Sequence, residues 1–171
     1  MDYTENQFAE LFNKQKANQF VVANTSAKER IKKLKALRQA LEHTYKQEIR
    51  IALYADFKKP YFETDLTEIY LAVREIKVAI SNLRNWMQKK PVGTPLTLLG
   101  TRSWIQYEPK GVCLIISPWN YPVTLTFSPL VTAIAAGNTV VIKPSELSSN
   151  TSKVMAKLVS VVFKEDEVAL V

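Results

Sequence analysis

The sequence of 171 residues predicts an α/β protein in which long N-terminal helices precede the first half of a doubly wound parallel sheet. Two short runs rich in Val and Ile, 112–116 and 139–142, predict buried strands, and a third such run begins at Val168. An apolar segment long enough for a helix, 123–136, lies between the first two and closes at Gly137. Strand, helix and parallel strand form a βαβ unit, which brings the turns after both strands to the ligand-binding edge of an open sheet.

Composition and charge are those of a protein with a sizeable core. Hydrophobic residues make up 47% of the sequence, charged residues 23%, and the net charge is +7. The basic excess lies in residues 1–90, where Lys and Arg alternate with acids at helical spacing, so a solvated helix face is favoured over nucleic-acid binding. A single Cys and a single His exclude an internal disulfide and a zinc site built from Cys and His, so we predict no metal.

The chain opens on a polar, acidic stretch, residues 1–10, rather than on a secretory signal. Its most apolar segment, 123–136, is shorter than the roughly 20 residues of a membrane span. We therefore expect a cytoplasmic protein without a membrane-spanning helix.

Periodic apolar residues predict the first helices. A short amphipathic helix over residues 3–20 is followed by Ser26 and Glu29, which have the spacing of a capping box. The next helix continues to Pro60 and, at ~1.5 Å per residue, would be about 40 Å long. The apolar residues on one face of a helix form its stripe. The stripe of the first helix is Phe8, Leu11, Phe12 and Ala17, and that of the next helix is Ile31, Leu34, Leu37, Leu41, Tyr45, Ile49 and Ala52.

Another long helix is predicted from Thr64 or Asp65, because Asp65 and Glu68 again have cap spacing. It ends before the Pro-rich segment 91–95, which marks the predicted internal boundary. Its stripe is Leu66, Ile69, Val73, Ile76, Ile80, Leu83 and Met87. The predicted domains are a helical region over 1–95, a bridging β-hairpin strand within 96–110, and a partial sheet domain over 111–171.

The second half adds elements around the βαβ unit. Residues 103–108 predict a strand, and Ser148 is a candidate cap for a helix across 151–163, with Val161 or Val162 inward. The final residues, from Val168, predict a third strand. An open strand edge of this kind is normally covered, so we expect either a longer polypeptide or a partner that pairs with the edge.

The residues that follow the two main strands resemble motifs of the aldehyde dehydrogenase superfamily, most closely its class 3 branch, which acts on fatty and aromatic aldehydes. The tight match spans residues 109–151, and the preceding helices are similar to that family's N-terminal region. The resemblance implies the first part of the aldehyde dehydrogenase fold, with a Rossmann-like sheet, NAD or NADP as cofactor, and an aldehyde as substrate. The motifs are Pro118-Trp119-Asn120-Tyr121-Pro122, Ala135-Ala136-Gly137-Asn138 and Lys143-Pro144-Ser145-Glu146.

The resemblance also implies roles for individual residues. Asn120 matches the asparagine whose amide donates to the oxyanion, and loss of one such donor costs on the order of 3 kcal/mol. Lys143 and Glu146 match the residues that bind the adenosine ribose of the cofactor, where a carboxylate favours NAD over NADP. The remaining residues implied to bind the cofactor are Ser117, Pro118, Trp119, Pro144 and Ser145.

Simpler structural interpretations stay open for these residues. Asn120 can cap a helix that begins at Pro122, Lys143 and Glu146 can form a surface pair in a turn, and Trp119 can fill the core.

The family's nucleophilic cysteine, glutamate base and glycine-rich turn lie beyond the matched residues and are not in this sequence. Cys113 sits mid-strand, where we expect it to be buried and inert, and His43 lies on the polar side of a helix. The resemblance therefore implies the N-terminal part of an aldehyde-oxidising enzyme, inactive alone and with weak or absent cofactor binding. The alternatives are a non-catalytic nucleotide-binding or subunit-pairing module, which forms a homo-oligomer through the sheet edge, and a basic helical adaptor for nucleic acid.

Overall fold

The computed structural model describes residues 4–171 and confirms an α/β architecture of N-terminal helices and a parallel sheet. The helices are α1 Glu5–Ala23, α2 Ala27–Gln39, α3 Lys46–Phe57, α4 Tyr61–Thr64, α5 Tyr70–Trp86, α6 Pro122–Ala136 and α7 Ser149–Val162. The strands are β1 Lys90–Val92, β2 Ser103–Ile105, β3 Val112–Ile116, β4 Thr139–Lys143 and β5 Val168–Leu170. Residue 3, where the sequence predicts the first helix to begin, lies outside the described residues.

The three main strands form a parallel sheet in the order β3-β4-β5, which confirms the predicted βαβ unit and the third strand. The register pairs Val112 with Thr139 and Ile116 with Lys143, so β3 and β4 end level with each other. The Ser117 N–H extends this ladder with a hydrogen bond of 3.1 Å to the Lys143 carbonyl. Both turns that follow these strands therefore leave the sheet at the same edge.

Helix α6 crosses between β3 and β4 and ends where the sequence predicts. Pro122 occupies its first turn, and Gly137 ends it in a left-handed conformation with φ of 89°. Arg30 packs against this glycine and donates hydrogen bonds to the carbonyls of Ala135 (2.9 Å) and Ala23 (2.7 Å). A Cβ at position 137 would lie 2.5 Å from the guanidinium, so both the backbone and the close approach require glycine.

One hydrophobic core joins the long helices to the sheet. Phe127 and Leu130 of α6, and Ile142 of β4, are fully buried within it. The stripes of the long helices contribute Leu34, Leu37, Leu41, Tyr45, Ile49, Ile69, Val73, Ile76 and Leu83. The long helices therefore pack on α6 and α7, which in turn contact the sheet.

The first long helix is not continuous as predicted. A π turn at Ala40–Thr44 separates α2 from α3, and the Tyr45 N–H bonds the Ala40 carbonyl at 2.8 Å. The wider turn shifts the helix phase by about one residue. Tyr45 stays buried across this shift, and Lys58, in a left-handed conformation, ends α3 before Pro60.

The second long helix begins earlier than predicted. Pro60 precedes α4, which starts at Tyr61 rather than at Thr64 or Asp65. A second π turn, Asp65–Ile69, follows α4, so Asp65 and Glu68 lie inside the helix and do not form a cap. Two predicted stripe residues are exposed: Leu66, which lies within the π turn, and Met87, which follows the last residue of α5.

Helix α1 buries a different face from the predicted stripe. Phe8, Phe12 and Ala17 are exposed, whereas Gln15 is buried beside Leu11. The Gln15 amide donates hydrogen bonds to the Val140 carbonyl (2.9 Å) and the Glu165 carbonyl (3.1 Å). A polar side chain thus anchors this helix to the sheet, which an apolar pattern does not reveal.

The hairpin differs from the prediction in extent. Its second strand, β2, is shorter than the predicted strand over 103–108, and it pairs antiparallel with β1. Strand β1 includes part of the segment 91–95 that the sequence assigns to a boundary. Its three residues are exposed and it lies at the edge of a two-stranded sheet, where a proline is tolerated. Within residues 4–171, no helix has the length and apolar character that a membrane crossing requires.

Candidate functional site

The candidate site lies at the carboxyl ends of β3 and β4, and we refer to this end of the strands as the edge of the sheet. The turn after β3 carries residues 117–121, and the turn after β4 carries residues 144–148. Because Ile116 pairs with Lys143, the two groups of predicted site residues start from adjacent positions on that edge. An open parallel sheet binds ligands at this edge.

The turn after β3 is anchored by Ser117. This residue is buried, and its hydroxyl oxygen accepts a hydrogen bond of 2.7 Å from the Thr126 hydroxyl of α6. The Ser117 side chain therefore faces the helix rather than an open cleft. Trp119 lies 5.9 Å from the Phe57 ring between centroids, yet 49% of it stays exposed, so it is not a plain core residue.

Asn120 is exposed and does not cap helix α6. The residue before the helix is Tyr121, and no side-chain hydrogen bond caps the helix from that position. Among residues 4–171 the Asn120 amide has no hydrogen-bond partner. The capping interpretation is therefore wrong, and the amide is available to a ligand.

A carboxylate from the N-terminal helices caps α6 instead. Glu68 has no exposed surface, and its Oε2 accepts hydrogen bonds of 3.0 Å from the N–H groups of both Val123 and Thr124. Its Oε1 accepts 2.7 Å from the Lys59 ammonium, which also lies 4.2 Å from the centroid of the Tyr121 ring. A negative group at this position compensates the partial positive charge of the helix N-terminus.

Burial raises the pKa of the Glu68 carboxyl, and the hydrogen bonds from Lys59, Thr124 and Val123 oppose this rise. The sequence contains one signal for this role: Glu68 lies four residues before Ala72 and eight before Ile76, a helical spacing that places it on the inward face. A carboxylate in a helical stripe requires a buried partner.

The turn after β4 holds the second group of predicted site residues. The Lys143 ammonium forms an ion pair with the Glu146 carboxylate, which lowers the pKa of Glu146, and it also donates to the Pro144 carbonyl at 3.2 Å. Glu146 is largely exposed, whereas Pro144 is buried. Ser145 begins a 3-10 turn, Glu146–Ser148, by accepting from the Leu147 N–H at 3.3 Å. An exposed pair of this kind contributes little stability, so both groups can exchange their contact for a ligand.

Helix α7 is also capped by a carboxylate from the N-terminal helices. Asp56 accepts hydrogen bonds from the backbone N–H groups of Asn150 (3.1 Å) and Thr151 (2.8 Å), and from both of their side chains. The predicted cap, Ser148, instead donates its hydroxyl to the Ser145 carbonyl. Ser148 occupies the N-cap position, as predicted, but the acceptor that caps the helix comes from a distant helix.

The helix start and one inward residue of α7 also differ from the prediction. The helix begins at Ser149 rather than at residue 151, and Val161 is exposed while Val162 packs against the core.

Asp56→Asn is expected to lower the free energy of unfolding at neutral pH by about 1–2 kcal/mol. Burial opposes ionisation of Asp56, but the hydrogen bonds from Thr151 and Asn150 outweigh it and lower its pKa. A carboxyl with a lowered folded-state pKa stabilises the protein above its unfolded pKa, and this stabilisation is lost as the pH falls through the folded value. Urea unfolding at several pH values should therefore show a difference between wild type and variant that shrinks in acid. Glu48→Gln, an exposed carboxyl of the same helix, is the control.

Cys113 is half-buried rather than fully buried as expected, and burial raises the pKa of its thiol. It therefore remains a thiol at neutral pH, as an inert cysteine does. His43 is exposed, as predicted. Among residues 4–171, no group of three His, Cys, Asp or Glu side chains is placed to hold a metal ion.

Comparison with known proteins identifies relatives of this fold. The profile described as "Aldehyde dehydrogenase family" matches residues 1–169. The chain is 44% identical over 142 residues to the 4,4'-diaponeurosporen-aldehyde dehydrogenase of Staphylococcus aureus, covering 83% of this chain and 31% of that protein. It is 48% identical over 133 residues to aldehyde dehydrogenase family 3 member B3 of Mus musculus, covering 78% of this chain and 28% of that protein.

A solved structure of the substrate-bound state of Staphylococcus aureus AldH superposes with a TM-score of 0.92 at 38% identity. The match covers 100% of this chain and 36% of that one. The chain thus spans about a third of the length of the relatives that it matches, and it corresponds to their N-terminal part.

Proposed function

This chain belongs to the aldehyde dehydrogenase family, and on that premise we propose that it is the N-terminal part of an NAD(P)-dependent enzyme that oxidises an aldehyde to a carboxylic acid. The supporting observation is the level ending of β3 and β4, which brings the turns of Asn120 and of Lys143 to one sheet edge. We call the enzyme of this proposal the complete enzyme. Its substrates would be fatty or aromatic aldehydes, as in the class 3 branch, and its compartment the cytoplasm.

The exposed Lys143–Glu146 pair supports a role in binding the cofactor ribose. The ammonium group offers donors and the carboxylate offers acceptors, which together suit the two hydroxyls of a ribose. The carboxylate favours NAD by repelling a 2′-phosphate, and the neighbouring lysine weakens that preference. When bound, the nicotinamide ring would supply the hydride acceptor.

Other residues at this edge would shape the site rather than bind through polar groups. Pro118 and Trp119 are exposed and would line the cleft, whereas Ser117 and Pro144 are buried and would hold the two turns in place. Ser145 would order the turn through its hydrogen bond to the Leu147 N–H.

Asn120 would stabilise the oxyanion that forms when a nucleophile attacks the aldehyde carbonyl. A neutral amide donor fixed at that point stabilises developing charge without reorganisation in the transition state. The amide of Asn120 is exposed and lacks a partner among residues 4–171, which fits this task.

The 171-residue chain alone would bind the cofactor weakly and would not oxidise aldehydes. Its single cysteine, Cys113, lies in a strand and has a raised thiol pKa, so it does not supply a thiolate nucleophile. Formation of reduced nicotinamide by this chain with a long-chain or aromatic aldehyde would contradict this proposal. The complete enzyme should reduce the cofactor with the same aldehydes.

In the complete enzyme, Lys143→Ala is expected to weaken NAD binding by about tenfold. This is the effect of losing roughly 1.4 kcal/mol of charge-assisted hydrogen bonding. The measurement is a titration followed by tryptophan fluorescence, for which Trp119 is a nearby reporter. The matched control is Lys153→Ala, which removes an exposed lysine on α7. Equal affinities of wild type and Lys143→Ala would count against the ribose-binding role.

A second candidate function is a non-catalytic module that pairs with another subunit. The observation that favours it is the apolar surface of β3, where Leu114 is 62% and Ile116 71% exposed. Contiguous apolar residues on a strand face are normally covered. A monomeric chain in sedimentation equilibrium would contradict this second candidate.

A further inference from the structure

We propose that Glu68 is a positioning residue for Asn120, in that its carboxylate fixes the first turn of α6 and thereby the place of the Asn120 amide. The inference rests on the proposed function. Glu68 lies in the π turn Asp65–Ile69 that precedes α5, far in the sequence from the motif that contains Asn120.

The contacts of Glu68 tie the start of α6 to the helical region. One oxygen, Oε2, accepts from two consecutive N–H groups, those of Val123 and Thr124, each at 3.0 Å. The other oxygen binds the Lys59 ammonium at 2.7 Å, and both charged side chains are buried. A buried carboxylate with both oxygens occupied has little freedom to move, so the first turn of the helix is fixed as well.

Only a short, conformationally restricted segment separates the first turn of α6 from Asn120. The intervening residues are Tyr121, with φ of −135° and ψ of 66°, and Pro122, whose ring restricts φ. The ring of Tyr121 lies 4.2 Å from the Lys59 ammonium, measured to its centroid, which adds a further contact to the same pair. A displacement of the Val123 N–H is therefore passed on to Asn120.

The other side of the loop is fixed to the sheet. The Ser117 N–H bonds the Lys143 carbonyl at 3.1 Å, and the Ser117 hydroxyl accepts from Thr126 at 2.7 Å. Residues 118–120 thus span two anchored points, Ser117 on one side and the Glu68-capped turn on the other. Since the Asn120 amide has no partner of its own among residues 4–171, its position depends on these anchors.

The kinetic test uses Glu68→Gln in the complete enzyme. We expect kcat to fall by about 10- to 100-fold, because a misplacement near 1 Å costs about 10²-fold, while KM for NAD changes less than about twofold. Glu48→Gln, an exposed carboxyl paired with Lys157, should leave both constants unchanged. An equal loss in kcat and in cofactor affinity, or an unchanged kcat, would overturn the inference.

A second measurement uses the 171-residue chain and needs no activity. Amide hydrogen exchange at Val123 and Thr124 should be faster in Glu68→Gln than in wild type, and the NMR signals of the Asn120 side-chain amide should shift. Unchanged exchange and unchanged Asn120 signals would overturn the inference. If the wild-type complete enzyme shows no aldehyde oxidation, the proposed function fails, and the exchange experiment still decides the role of Glu68.

Should Glu68→Gln not fold, Glu68→Asp replaces it in both measurements. This variant keeps the charge opposite Lys59 but shortens the reach by one methylene group. We expect the same separation of kcat from KM with a smaller loss of kcat, and unchanged kcat would again overturn the inference.

Discussion

Asn120→Ala is expected to lower kcat of the complete enzyme by about 10²–10³-fold while leaving the free energy of unfolding within about 0.5 kcal/mol of wild type. The two halves of this expectation have separate causes. The loss of kcat follows from removing the proposed donor to the oxyanion. The unchanged stability follows because Asn120 is exposed, and because the cap of α6 comes from Glu68 rather than from Asn120.

Steady-state kinetics and urea unfolding of the same preparations check both halves. Asn82→Ala removes an amide that bonds only a carbonyl within its own helix, and it serves as the control. A loss of stability of about 1 kcal/mol or more in Asn120→Ala, with kcat preserved, would show that the residue has a structural role instead.

Lys59→Met is expected to lower the free energy of unfolding by about 3–5 kcal/mol at neutral pH, because it leaves the Glu68 carboxylate buried without its counter-charge. Both side chains of the pair are nearly inaccessible to solvent, so water cannot replace the lysine. Urea unfolding monitored by tryptophan fluorescence measures the loss. Lys153→Met, an exposed lysine, should have little effect.

The pH dependence of this variant carries a definite sign. Burial already raises the pKa of Glu68, and loss of Lys59 removes a group that opposes the rise. A carboxyl with a raised folded-state pKa favours the folded protein at low pH and loses that contribution as the pH rises through the folded value. The destabilisation by Lys59→Met should therefore grow from acid to neutral pH. The double variant Lys59→Met/Glu68→Gln should recover part of the loss, and no recovery would contradict the explanation by an unpaired charge.

The strands and the site turns were accessible to sequence reasoning because their signals are local. Runs of Val and Ile that stop at polar, Pro-containing turns indicate buried parallel strands, and Gly137 marks a left-handed helix end. The motif residues Asn120, Lys143 and Glu146 follow from these strands by adjacency. Whether they act as the resemblance implies stays a prediction.

The errors in the long helices and in the helix caps have two physical causes. The π turns at Ala40–Thr44 and Asp65–Ile69 change the helix phase, and a periodic pattern does not specify where a turn widens. The two helix caps were not predicted because local spacing favours nearby Ser and Asn as caps. The actual acceptors are distant in the sequence: Glu68 is 55 residues from Val123, and Asp56 is 95 residues from Thr151.

These long separations have a consequence for biosynthesis. The segment that contains Asp56 and Glu68 leaves the ribosome well before the helices that need their carboxylates. Until residues 122–151 emerge, the helix N-termini that these carboxylates cap have not yet been made, so the nascent chain cannot reach its final arrangement. We therefore expect the first half of the polypeptide to stay loosely structured until the second half has been synthesised.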